Sequence, residues 1–190
     1  YAMKTLANGE CEHMIVGGVQ TSMNIPIYEL FTALEALSTE HIRPLDQGSK
    51  GTLLSEGVGF IVLRRLEAAI KDHEKIYGII SGLGIASDGK GKGLLAPNQI
   101  GQVLAINKAY TSSNLSKKDI SLIEVHATGI KHGDKTELSS LCEAFDGIER
   151  PLSSIGLTSI KSLIGHSIPA SGFASIIKLC LCLKSKKLIG

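Results

Sequence analysis

The chain has little that would place it in a specialised class. Its 20 lysines and arginines nearly balance 18 aspartates and glutamates, for a formal net charge of +2, and they are scattered along the sequence. No basic stripe argues for nucleic acid or an anionic membrane surface. No uninterrupted apolar run reaches the ~18 residues of a membrane span, and no charged-then-apolar leader precedes a small-residue cleavage site, so the expectation is a cytoplasmic protein. Cysteine is scarce: Cys11, Cys142, Cys180 and Cys182 have neither CxxC spacing nor the density of a disulfide framework. The last three fall in apolar, helical-looking segments, where a free cysteine acts as a small hydrophobe. Cys11 has neither a base nor a helix start to activate it. Fixed-period repeats and low-complexity linkers are also missing, so composition marks no domain boundary.

What remains is a chain of 190 residues, 43% hydrophobic, enough for a real core. Buried-strand patterns occur at 13–19, 59–66, 76–85, 120–125 and 155–160. Helical spacing occurs at 28–37, 68–75, 99–110, 135–145 and 171–183. The alternation predicts an α/β fold around a largely buried sheet. The chain opens inside a helical pattern that stops at Asn8-Gly9, and it closes just after an apolar helix. A segment of a larger protein is the expectation.

Three stretches carry candidate chemistry. GIASDGKG at 84–91 nearly fits the phosphate-cradling pattern, but Gly91 stands where the hydroxyl should be, and a proline follows where a helix should open. The set His126, His132 and Asp134 has the residue types of a metal site, but nothing fixes them on one face and no fourth ligand is near. The third candidate is a pair of similar phrases. In EVHATG (124–129) a strand delivers His126 into a turn of small residues. In SIKSLIGHSIPASG (159–172) a strand delivers Ser159 to Ser162, and His166 follows a glycine just before a helix. Two histidines flanked by glycines at the edges of one sheet suit a ligand cleft, with Lys161 between them in sequence. His13, His41, His73 and His132 lack such surroundings and read as surface or packing residues.

These residues resemble a β-ketoacyl synthase, the condensing enzyme of fatty-acid and polyketide assembly. GECEHMIVGGV resembles the strand after that family's nucleophile helix. IRPLDQGSKGTLLSEGVGFIVLRRLEAA resembles its R-P-F-D and G-E-G-x-G segment, and SDGKGKGLLAPNQIGQ its S-D-G loop. EVHATGIKHGDKTEL and SIKSLIGHSIPASGFASIIK resemble its two histidine motifs. The texture is most like synthases of the polyketide and polyunsaturated-fatty-acid type.

The resemblance implies a partial thiolase-like fold, with residues 1–78 ending the N-terminal half and 79–190 forming most of the C-terminal half. It implies His126 and His166 as catalytic histidines, Lys161 as an electrostatic and positioning group, and Thr128 as a contact of the phosphopantetheine arm. No cofactor of its own is implied, since substrates ride on the arm of an acyl carrier protein. A homodimer is implied for the parent.

Departures from the family pattern are Ile130 for a second threonine, Leu163 for an asparagine, and Pro169 and Ser171 for alanines. The family's nucleophilic cysteine matches no cysteine here and falls ahead of Tyr1, so the expectation is a chain inactive on its own, with strand edges and an apolar face exposed. The rival expectation is a non-catalytic partner resembling a chain-length factor.

Overall fold

The fold is built around a helix held between two pairs of strands. The computed structural model describes residues 1–90, 93 and 96–188. Gly91, the position that spoils the phosphate-loop pattern, lies outside them.

Strands β1 (His13–Gln20) and β2 (Gly57–Arg64) pair antiparallel in an unbroken register from His13 opposite Arg64 to Gln20 opposite Gly57. Strict alternation gives this pair two faces. The outer face carries Ile15, Val19, Val58, Phe60 and Val62, each exposed, so the expectation of a largely buried sheet fails for this pair. Phe60 lies across Gly17, where an added Cβ would meet its ring at 2.1 Å, and thus covers the bare backbone of its cross-strand partner.

The inner face is kept low by small residues. A Cβ on Gly18 would come within 2.4 Å of the Pro169 carbonyl oxygen, and one on Gly59 within 3.0 Å of Phe173. These glycines let the start of helix α7 (Ser171–Ser185) and the 3-10 turn before it (Ile168–Ala170) sit directly on the strands. Pro169 falls within that opening turn, where its missing N–H costs nothing.

The window Ile168–Ser185 is 18 residues long with hydropathy 1.3. Among the described residues this is the one helix with the length and hydropathy of a membrane span. Its buried Lys178 forms an ion pair with Glu124 at 3.1 Å, and it packs one side on β1 and β2, while Ile176, Leu181 and Leu183 are exposed.

Strands β3 (Leu122–Glu124) and β4 (Gly156–Thr158) form a short parallel pair. Glu124 ties this pair to α7, accepting from Ser175 Oγ at 3.3 Å as well as facing Lys178. Outside it, α4 (Gln99–Ser112) packs on α5 (Lys131–Ala144), with Ser140 Oγ donating to Gln102 at 2.7 Å and Tyr110 edge-on to Phe145. Among the described residues, helices α1 (Ala2–Ala7), α2 (Ile25–Ala33), α3 (Leu66–Lys71) and α6 (Lys161–Ile164) complete the α-helices.

The strand expected at 76–85 does not form. The segment has neither helix nor strand and is held against α4 instead of pairing with a strand. Ser112 Oγ takes the Leu83 N–H at 2.9 Å and donates to its carbonyl, and Lys108 Nζ donates to the Ile85 carbonyl. Gly82 and Gly84 press against the α4 backbone, with Cβ positions 2.3 Å from Ala109 O and 1.8 Å from Ala105 O. An apolar run predicts burial of one face, whereas a ladder needs a partner strand. Cys142 is a further correction: it is exposed on α5, while Cys182 is buried.

Candidate active site

The first histidine loop is shaped by two carboxylates. Beyond β3 the Val125 N–H still bonds Thr158 O at 2.8 Å; after that the ladder stops and four consecutive amides need acceptors. Helix α5 supplies them. Glu137 accepts from His126 N at 2.7 Å and Ala127 N at 2.8 Å; Asp134 accepts from Thr128 N at 3.0 Å and Gly129 N at 3.2 Å. Asp134, itself buried, also takes the N–H of Leu45 at 2.9 Å. The loop between strand and helix is thereby fixed as a unit, with Gly129 at φ +80 making the final bend.

The second histidine arrives differently. From β4, Ser159 Oγ donates back to Ala127 O at 3.0 Å, α6 makes one turn, and Gly165 at φ +81 turns the chain against Ser55. His166 then forms a bridge with the loop ahead of β2: its N–H donates to Leu53 O at 2.8 Å, and its carbonyl accepts from Ser55 N at 3.1 Å. Sequence reading places both histidines at the edges of one sheet. The structure places His126 after β3 and His166 on this separate bridge.

One strap ties the two loops together. Ser49 Oγ and Gly51 N both donate to Gly129 O, the latter at 3.0 Å, and the same strap reaches His166 four residues later. Gly51 has φ +125 and lies against Ala36, a path closed to other residues.

The imidazoles meet edge to face, 5.5 Å between centroids at 85°. Phe31 of α2 approaches His166 on another side at 6.4 Å, and Ser171 Oγ lies 3.0 Å from its Nδ1. His166 is buried; desolvation, then the neighbouring His126 and Lys161, pulls its pKa down from 6.5 to about 4. His126 keeps an accessible ring and is also lowered, by desolvation and then Lys161, against the upward pull of Glu137 and Asp134. Lys161 is buried, and desolvation lowers it while Glu137, Glu124 and Asp134 raise it. Two neutral imidazoles beside one partly compensated ammonium can direct N–H donors at a developing negative charge.

Thr128 is buried at the base of the same loop. His132 is exposed on α5 and stands apart from the pair. Among the described residues no group of three His, Cys, Asp or Glu could hold a metal ion; Asp134 accepts amides instead. None of the four cysteines is a hydrogen-bond, aromatic or charge partner of either histidine among the described residues. Glu137, the organiser of the first loop, was missed in the sequence. The signal for it is the Asp134 and Glu137 spacing of three, which puts two acceptors on the face of α5 that meets the turn.

The β-ketoacyl synthase N-terminal domain matches residues 1–69, and the β-ketoacyl synthase C-terminal domain matches residues 77–189. One polyunsaturated fatty acid synthase polypeptide from Thraustochytrium sp. is 35% identical over 192 residues, covering 100% of this chain and 7% of that protein. The ketosynthase from module 6 of the bacillaene synthase of Bacillus subtilis 168 is 35% identical with a TM-score of 0.94, covering 99% of this chain and 34% of that one. A PfaC ketosynthase–chain length factor structure is similar at 34% identity and TM-score 0.88, covering 95% and 19% respectively. The chain thus spans about a third of the bacillaene ketosynthase and a smaller share of the polyunsaturated fatty acid synthase. With a thiolase-like α/β fold and both halves matched in order, it belongs to the β-ketoacyl synthase family.

Proposed function

We propose that this chain supplies the histidine side of a condensing site that joins a malonyl unit to an acyl thioester in fatty-acid or polyketide biosynthesis. The observation that carries the reading is the edge-to-face approach of His126 and His166 beside buried Lys161. In the reaction, the bond between the malonyl carboxylate and its α-carbon breaks and CO₂ leaves. The electron pair spreads onto the thioester oxygen as an enolate. Neutral imidazole N–H groups stabilise that charge without being acids strong enough to quench the carbanion. The α-carbon then attacks the acyl thioester carbonyl and expels the sulfur of a cysteine thiolate contributed by the parent protein.

Burial keeps both imidazoles neutral, and Lys161 adds to that effect while strengthening the local positive potential. Thr128 faces the phosphopantetheine arm of an acyl carrier protein, and Ile130 removes one hydrogen bond that a threonine would give the same arm. No cofactor of the chain's own is needed. The division into 1–78 and 79–190, a homodimeric parent and a cytoplasmic location belong to the same proposal.

The test is made in the parent synthase. H126A and H166A each lower malonyl decarboxylation and condensation by on the order of 10²–10³, while acyl transfer onto the enzyme persists. Condensation at the unaltered rate in both variants would sink the proposal. A second reading, a chain-length-factor-like partner, has the likeness to the ketosynthase–chain length factor structure in its favour. It predicts that neither variant changes the chemical step, only product length.

A further inference from the structure

We infer that Ser171, backed by Ser167, is a positioning residue that fixes which nitrogen of His166 carries the proton. This rests on the reading of His166 as a hydrogen-bond donor to the reacting thioester. The geometry is a short chain of buried groups. Ser171 Oγ lies 3.0 Å from His166 Nδ1, and Ser167 Oγ lies 3.3 Å from Ser171 Oγ. Exposure is 8% for His166, 1% for Ser167 and 4% for Ser171, so water is a poor substitute partner for either hydroxyl.

Counting protons decides the direction of the chain. Among the described residues the two hydroxyls have no further acceptor. If Nδ1 is bare, Ser171 donates to Nδ1 and Ser167 donates to Ser171 Oγ, so both hydroxyl protons are used. If Nδ1 carries the proton, then Nδ1–H, Ser171 O–H and Ser167 O–H share two oxygens. One buried hydroxyl donor is then orphaned, which is the unfavourable outcome, whereas Nε2 is not among the buried side-chain atoms left without a partner and keeps access to an outside acceptor for its proton. The bare-Nδ1 arrangement therefore wins, and the proton sits on Nε2, across the ring from Ser171.

The surroundings make the choice of tautomer matter. His126, Lys161 and the edge of Phe31 are the groups that face this ring, and no carboxylate is among its charge partners. The ring is neutral near pH 7, so a single proton is available and its placement decides whether His166 offers a donor or a lone pair. The backbone is no substitute for the hydroxyl, because the His166 N–H and carbonyl are both committed to the bridge with Leu53 and Ser55.

Magic-angle-spinning ¹⁵N spectra of the full chain labelled at histidine test this, with H166Q assigning the resonances. In the unaltered protein His166 shows an unprotonated Nδ1 and a protonated Nε2. S171A shifts the Nδ1 resonance to that of a nitrogen without a donated hydrogen bond and adds the second tautomer. S171T keeps a hydroxyl there and returns the original pattern. A protonated Nδ1 in the unaltered protein, an S171A spectrum that superimposes on it, or an S171T spectrum matching that of S171A overturns the inference. The readout is independent of turnover, so loss of the condensing role would leave the tautomer result standing, and the reverse.

Discussion

Glu137 of α5 holds the backbone of His126 in the loop before that helix, accepting its N–H at 2.7 Å through one carboxylate oxygen and that of Ala127 at 2.8 Å through the other. E137Q keeps one acceptor and turns the other into a donor facing an N–H. The expected loss is ~1–3 kcal/mol of unfolding free energy. The Lys161 pKa falls further, since Glu137 is the strongest upward influence on it. Urea unfolding and a ¹⁵N titration of Lys161 check both, and an unchanged midpoint would rule out the clamp.

Acid sensitivity follows from His166, held at about 4 against an ordinary 6.5. Below pH 6.5 the unfolded chain binds a proton that the folded chain refuses, so the stabilisation is complete above that pH and is lost as pH falls toward the folded value. After discounting for partial solvent access, the loss between neutrality and the folded value is on the order of 2 kcal/mol. Unfolding of H166Q beside the unaltered protein across this range cancels the carboxylates common to both. Parallel stability curves for the two would refute the assignment.

Glu124 and Lys178 make a buried pair at 3.1 Å, with side-chain exposures of 2% and 4%. The ammonium is at ion-pair distance without hydrogen-bond alignment, while the carboxylate is further satisfied by Thr158, Ile160 and Ser175. K178M alone strands a buried anion and costs ~3–5 kcal/mol. Adding E124Q to it restores more than half of the loss, and a double-mutant cycle measures the coupling. Additive single losses would show that the two groups do not act as a pair.

Gly129 combines φ +80 with a Cβ position 2.7 Å from the Gly51 carbonyl oxygen. G129A is expected to cost ~1–3 kcal/mol from the left-handed conformation alone, and more from the clash. Because the strap at 49–55 also bridges His166, the disturbance reaches the second histidine. Its ¹⁵N resonances should move in G129A but not in a G147A control, where φ is also positive but no atom lies within 4 Å of the Cβ position. Unmoved His166 resonances in a folded G129A protein would count against the strap.

Much of the fold was legible because periodicity reports burial. The runs at 13–19 and 155–160 became strands, and those at 99–110 and 171–183 became helices with slightly moved ends. Boundaries drifted where capping overrode pattern. Helix α5 starts at Lys131, not 135, because the Asp134 and Glu137 carboxylates reach back to the preceding loop and draw the first turn forward. Residues 76–85 failed because alternation of apolar residues says nothing about whether a partner strand is at hand, and here α4 takes that place.

The sequence alone determined which residues the proposed chemistry would use: two histidines, each with its glycines, and a lysine between them, in motifs whose order is specific. Tertiary structure decided how they act. Imidazole pKa depends on burial and on charges brought from other elements, and tautomer depends on the partner of a single nitrogen; neither is a property of nearby residues in sequence. Parallel pairing of β3 with β4 set Glu124 opposite Thr158, and α7 brought Lys178 to it. The strap at 49–55 joined Gly129 to His166 by contacts that reach across long stretches of chain to both. The first turn of α7, pressed onto glycines of β1 and β2, set Ser171 against His166.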